Sequence, residues 1–276
     1  MTQAEPLCSQ VREMFSTAEK RTIKPIVWIT AIFIVSLVFI LDPGYFVSPP
    51  LHSDDWNMLV EPVAFGSIDL VDFSDRRPLL LSLFAILSPI FQLQIPLYYV
   101  VNWLLIFLSG IMVYQIILRA FPDYGWLALP GALIFLIYPV NYARTWLVIS
   151  INTFALLLGL LVILLLVRFS NEGKAWRLVV ANTLVLLSLG TYEAALGIIL
   201  LASVMIIFLN RSSQKSRRLW LLTVPATVVV FMVWRIAVQP QLFAVSDTYL
   251  ADINVTLMTL LKRYGQGLFI FLFNWI

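Results

Sequence analysis

Charge is scarce in this chain. Only 12% of its 276 residues are Asp, Glu, Lys or Arg, about half the share usual in a soluble domain. Cysteine and histidine are nearly absent, with one of each, Cys8 and His52. A lone cysteine excludes an internal disulfide framework, and a lone histidine without cysteine neighbours is a poor zinc ligand. There is no Walker motif, no glycine-rich dinucleotide fingerprint, and no Ser-His-Asp set that His52 could complete. The residues around Cys8 are polar, with no apolar run resembling a signal peptide or lipobox. Apolar residues are what the chain has in excess: 61% are hydrophobic and mean hydropathy is +0.93. So few charges cannot screen so much apolar surface from water. The composition is that of an integral membrane protein.

A helix needs about 20 apolar residues to cross roughly 30 Å of hydrocarbon. Charge-free runs fall at Pro25–Leu41, Pro78–Leu118, Tyr124–Ala143, Thr145–Val167, Leu178–Tyr192, Ala194–Asn210, Leu219–Trp234 and Tyr264–Ile276. None alternates as a strand does, so helices must satisfy the backbone at that depth. The expected fold is an all-α polytopic bundle with seven to eight crossings.

Cations gather on the cytoplasmic side of membrane proteins. Arg12, Lys20, Arg21 and Lys24 therefore place residues 1–24 inside as a tail, ahead of a single membrane domain over 25–276. The next polar segment, Asp42–Arg77, carries seven acids against Arg76 and Arg77, which places it outside. Arg168, Lys174 and Arg177, and then Arg211, Lys215, Arg217 and Arg218, belong inside. Parity then allows one crossing between Arg77 and Arg119. Pro78–Gln92 is read as a juxtamembrane helix closing a first outer loop over 42–95, and Pro96–Leu118 as the second span. The same parity requires a hairpin at Gly190-Thr191-Tyr192-Glu193, with Glu193 recessed below the outer surface. The last run stops while still apolar, the pattern of an N-terminal portion of a longer chain. The expected location is a bacterial inner membrane or a eukaryotic endoplasmic reticulum, with a cytoplasmic N-terminus.

Chemistry-bearing groups collect on the outer side. The adjacent carboxylates of Ser53-Asp54-Asp55-Trp56 can bind a divalent cation (Mg or Mn), serve as a general base, or simply be a solvated acidic loop. Trp56 would hold that loop against the bilayer. Arg76 and Arg77 break the positive-inside trend; an arginine pair suits a phosphate, and equally a salt bridge to Asp72 or Asp75. Arg144 lies in an outer turn, Arg235 near the outer end of the seventh span, and Glu193 in the hairpin. Arg235 reads best as snorkelling to the headgroups. Glu193 reads equally as an ion-pair partner or a substrate contact. Asn102, early in the second span, reads as a helix–helix hydrogen bond.

In order, these landmarks are Asp54-Asp55 after the first span, Arg77-Pro78-Leu79 opening the juxtamembrane helix, Val101-Asn102-Trp103, Ile134–Val140 with Arg144 and Trp146 beyond, and Leu187–Glu193. The series resembles the GT-C membrane glycosyltransferases, the superfamily of the protein O-mannosyltransferases, over residues 26–210. The resemblance implies transfer of a sugar from a polyprenyl-phosphate donor to an acceptor hydroxyl on a protein, glycan or lipid, with no nucleic acid involved. It implies Asp54 or Asp55 as catalytic base and Arg77, with Arg76, at the lipid phosphate. Arg144, Tyr192 and Glu193 complete the expected substrate contacts. The chain is shorter than most such enzymes and lacks a sizeable soluble C-terminal domain. Two other readings compete: a transporter or lipid flippase, which usually places its charges at mid-membrane within paired repeats, and a noncatalytic membrane subunit.

Overall fold

The computed structural model describes residues 25–35, 55–60, 63–64, 77–137, 147–192, 196–197, 199–200 and 214–242. Every regular element among them is helical, as the absence of alternating patterns requires. In chain order these are α1 (Pro25–Val35), a helical turn at Trp56–Val60, α2 (Ser82–Phe91), α3 (Ile95–Ala120), a 3-10 turn at Pro122–Leu127, α4 (Ala128–Ile137), α5 (Ile149–Glu172), α6 (Ala175–Thr191) and α7 (Gln214–Val233). A wider turn at Trp234–Val238 follows α7. Two of these helices, α3 with 26 residues and α5 with 24, are long and apolar enough to cross a membrane. At 1.5 Å per residue both exceed the roughly 30 Å of hydrocarbon. Shorter apolar helices occupy other runs, among them α1, α2 and α6.

One crossing-length helix, Ile95–Ala120, thus follows Arg77, preceded by a short one, Ser82–Phe91. The boundaries differ from the apolar runs for physical reasons. The helix expected from Pro78 starts at Ser82, because the Leu79 N–H is drawn to the Gly190 carbonyl at 2.9 Å and residues 77–81 turn instead. The run Thr145–Val167 becomes a helix over Ile149–Glu172, continuing through Arg168 and Glu172 until Gly173. Hydropathy sets where a chain can sit in lipid; a left-handed residue sets where the helix stops, and Gly173 has φ 69°.

α5 is the central helix, with buried residues on all sides, and packs on both α3 and α6. The α5–α6 hairpin is antiparallel, with the Ser188 hydroxyl donating to the Ala155 carbonyl at 2.9 Å. Asn182 of α6 accepts from the Thr227 hydroxyl of α7 at 2.8 Å, a polar tie of the kind that holds helices together in an apolar medium. α2 is tied to α3 through Tyr98, whose ring meets Phe91 edge-on at 5.4 Å and whose hydroxyl donates to Gln92 O at 2.9 Å. Ile86 and Ile90 of α2, and Leu222 and Val230 of α7, remain more than half exposed. Such apolar faces suit hydrocarbon or the membrane interface.

α3 and α4 approach closely through glycines. A Cβ on Gly110 would lie 2.7 Å from Leu136 Cδ2, and one on Gly131 would lie 2.7 Å from Ile117 Cδ1. Leu136 is fully buried and cannot swing aside. Gly110→Val is expected to cost about 1–3 kcal/mol through overpacking. Thermal unfolding in detergent measures it, and Leu136→Ala in the same chain should recover part of the loss.

Candidate functional site

Helix directions divide the polar groups between two ends of the bundle. α3 and α5 run the same way, since the charges of Arg168, Glu172 and Arg177 all reach Arg119 at the end of α3. That end holds Arg119, Arg168, Glu172, Lys174 and Arg177. The opposite end holds the start of α5 and the end of α6, and it is there that Asp55 and Arg77 are found.

Asp55 is fully buried, and its Oδ1 accepts the backbone N–H of Val148 at 2.7 Å. Val148 is the N-cap of α5, where its apolar side chain can cap nothing. The first N–H groups of a helix lack internal acceptors and carry the positive end of the helix dipole. Asp55, 93 positions away in the chain, supplies the missing acceptor with a negative charge. The contact ties Asp55, just ahead of the turn at Trp56–Val60, to the start of the central helix. Asp55→Ala is expected to destabilise the protein by about 1–3 kcal/mol, from a lost cap and an unsatisfied buried donor. Asp55→Asn, which keeps an acceptor oxygen, should retain most of that stability in the same thermal assay.

Arg77 lies over the face of Tyr192, its guanidinium carbon 4.4 Å from the ring centroid. Tyr192 follows α6 in an extended conformation with φ −158° and ψ 122°, so the chain leaves the helix there. Two residues on from Arg77, Leu79 bonds the Gly190 carbonyl, and Gly190 leaves room for that approach: a Cβ there would lie 3.1 Å from Leu79 Cδ1. Pro78, between them, is buried. The segment 77–79 is therefore docked on 190–192 by a backbone hydrogen bond, a close glycine contact and a cation–π stack, the last worth about 0.5–2 kcal/mol.

Two sequence candidates thus come together, Arg77 and Tyr192, and Asp55 lies at the same end of the bundle on the start of α5. Asp54, Arg76, Arg144 and Glu193 lie outside the described residues. Arg235 is half-buried in the turn after α7, and Asn102 is fully buried in α3. Among the described residues no three His, Cys, Asp or Glu side chains gather as metal ligands.

Sequence reasoning weighed Asp55 as base, metal ligand or solvated acid and missed its role as a distant cap. The available signal was Val148-Ile149, an apolar pair where a helix start normally calls for Ser, Thr, Asp or Asn. It also missed Gly190 as the floor under Leu79. The chain matches no family model, no curated protein and no solved structure.

Proposed function

We propose that this protein is a multi-pass membrane glycosyltransferase. It moves a sugar from a polyprenyl-phosphate donor to an acceptor hydroxyl at the extracytoplasmic face. The seven to eight crossings, the GT-C-like arrangement and the cytoplasmic N-terminus belong to this proposal. One observation supports it above the rest: Arg77, stacked on Tyr192, occupies the bundle end away from the basic groups at Arg168 and Arg177, the end at which Asp55 anchors the acidic loop.

A sugar on a lipid phosphate presents an anionic leaving group at headgroup depth and an apolar tail in the bilayer. Its transfer needs a base beside the acceptor hydroxyl and a cation beside the phosphate. The base takes the hydroxyl proton as the oxygen bonds to the anomeric carbon. The bond from that carbon to the phosphate oxygen breaks, and polyprenyl phosphate leaves with the electron pair. Attack opposite the leaving group inverts the anomeric configuration. Of the two carboxylates, Asp55 has one oxygen engaged by Val148 N–H, which favours Asp54 as the base and Asp55 as the residue that positions it. The Tyr192 ring 4.4 Å away holds the Arg77 guanidinium in place, and a planar guanidinium fork suits phosphate oxygens, so Arg77 takes that role.

The deciding experiment supplies the purified protein in lipid nanodiscs with radiolabelled polyprenyl-phosphate hexose and a pool of candidate acceptors. Acceptor-dependent release of polyprenyl phosphate is the expected result. Counterflow of labelled donor across vesicles without release would replace the proposal with a transporter.

A further inference from the structure

The transferase reading leaves the opposite end of the bundle unused. There Arg119 ends α3, Arg168 lies in the last turns of α5, and Lys174 and Arg177 flank the start of α6. One carboxylate serves this group among the described residues: Glu172, bound by Arg177 at 2.6 Å and by Lys174 at 3.2 Å. Arg177 also donates to the Arg168 carbonyl at 3.0 Å, and Arg119 donates through Nε to Gln115 at 3.2 Å. Neither contact of those last two supplies negative charge.

The imbalance falls on buried groups. Arg177 is only 8% exposed, and the Nε atoms of Arg168 and Arg177 are both buried with no acceptor among the described residues. Donors of that kind are costly to leave unpaired in a protein interior. The helix dipoles explain only part of the cluster. The ends of α3 and α5 favour cations such as Arg119 and Arg168. Lys174 and Arg177 stand at the start of α6, where a cation is disfavoured and an anion is bound. Lys174 occupies the N-cap there, and its side chain provides no capping acceptor.

Depth comes from Trp176. It is 55% exposed, with its ring 5.5 Å from the Arg177 guanidinium. An exposed tryptophan beside basic residues at the end of a crossing helix marks headgroup level. We propose that Arg119, Arg168 and Lys174, with Arg177 behind them, bind the phosphate of an anionic phospholipid at this end of the bundle. Arginine forks suit phosphate oxygens, and basic pockets between membrane helices hold such headgroups. The inference needs the chain to reside in a bilayer but is independent of glycosyl transfer.

The test uses full-length protein in neutral detergent, followed by thermal unfolding during titration with phosphatidylglycerol, phosphatidylcholine or inorganic phosphate. Phosphatidylglycerol should raise the melting temperature to a plateau, and phosphatidylcholine should not. Half-saturation should weaken about fivefold for each arginine removed in Arg119→Gln and Arg168→Gln, and recover in Arg119→Lys and Arg168→Lys. A plateau with inorganic phosphate at the same concentrations supports the site and makes free phosphate its source. An undiminished phosphatidylglycerol shift in the double glutamine variant overturns the proposal, as does no shift with either phosphate probe. Native mass spectrometry of the wild-type protein reads the same point without any variant. Preferential retention of one phosphatidylglycerol supports the site, and equal retention of both lipids overturns it.

Discussion

Asp54→Asn is expected to lower sugar transfer by about 10²–10⁴-fold, the usual contribution of a general base. The substitution keeps size and hydrogen bonding and removes only the ability to accept the hydroxyl proton. The loss should appear in kcat, with donor binding little changed, because the proton moves only as the transition state forms. Asp55→Asn is the informative partner. Its Oδ1 accepts the Val148 N–H at 2.7 Å from a fully buried position, and an amide oxygen can do the same. Its effect on turnover should therefore be much smaller than that of Asp54→Asn, while Asp55→Ala should lose stability first. Release of polyprenyl phosphate under saturating donor measures turnover, and thermal unfolding measures stability. Full turnover by Asp54→Asn would remove it as the base. Loss of turnover by Asp55→Asn in a protein of normal stability would transfer that role to Asp55.

The second large effect is at Arg77. Arg77→Ala should reduce kcat by about 10²–10³-fold, the range seen when one preorganised donor to a developing anion is removed. Arg77→Lys should recover only part of it. Lysine supplies the charge but neither the planar fork nor an equivalent stack on the Tyr192 ring. Tyr192→Phe keeps the ring and should keep activity, and Tyr192→Leu should lose some by freeing the guanidinium. A double-mutant cycle between positions 77 and 192 should give a coupling of about 0.5–2 kcal/mol if the ring acts by holding the arginine. Unchanged turnover in Arg77→Ala would end the phosphate assignment. A purely structural role is separated by Arg77→Lys and Tyr192→Leu, for which it predicts that turnover falls only in step with thermal stability. The phosphate role predicts a loss of turnover in Arg77→Ala well beyond the roughly 0.5–2 kcal/mol of the stack.

The site and the fold were legible to different depths. Arg77 and Tyr192 could be named from the sequence because each is anomalous where it stands. One is an arginine ending the acid-rich stretch 42–77, and the other lies in a polar break between two apolar runs. Their stacking could not be foreseen, because it depends on Leu79 reaching Gly190 across 111 residues of chain, a contact with no local signature. Asp55 carried a local signature that pointed elsewhere. Adjacent carboxylates suggest a base or a metal, whereas the capping demand arose from the unprotected start of α5, far along the chain.

Composition and periodicity by themselves determined that the chain is helical and carries helices long and apolar enough to cross a membrane. They also limited the stretch after Arg77 to one helix of crossing length, because hydropathy and charge act residue by residue through transfer to lipid. Partnership was settled only by tertiary structure. It decided that α2 starts at Ser82, that Asp55 serves α5, and that Arg77 lies on Tyr192. Among the described residues it also left Arg119, Arg168, Lys174 and Arg177 at the other end of the bundle with Glu172 as their bound carboxylate. The physical reason is distance: transfer energies belong to single residues, but hydrogen bonds and ion pairs exist only once helices have brought remote groups within a few ångströms.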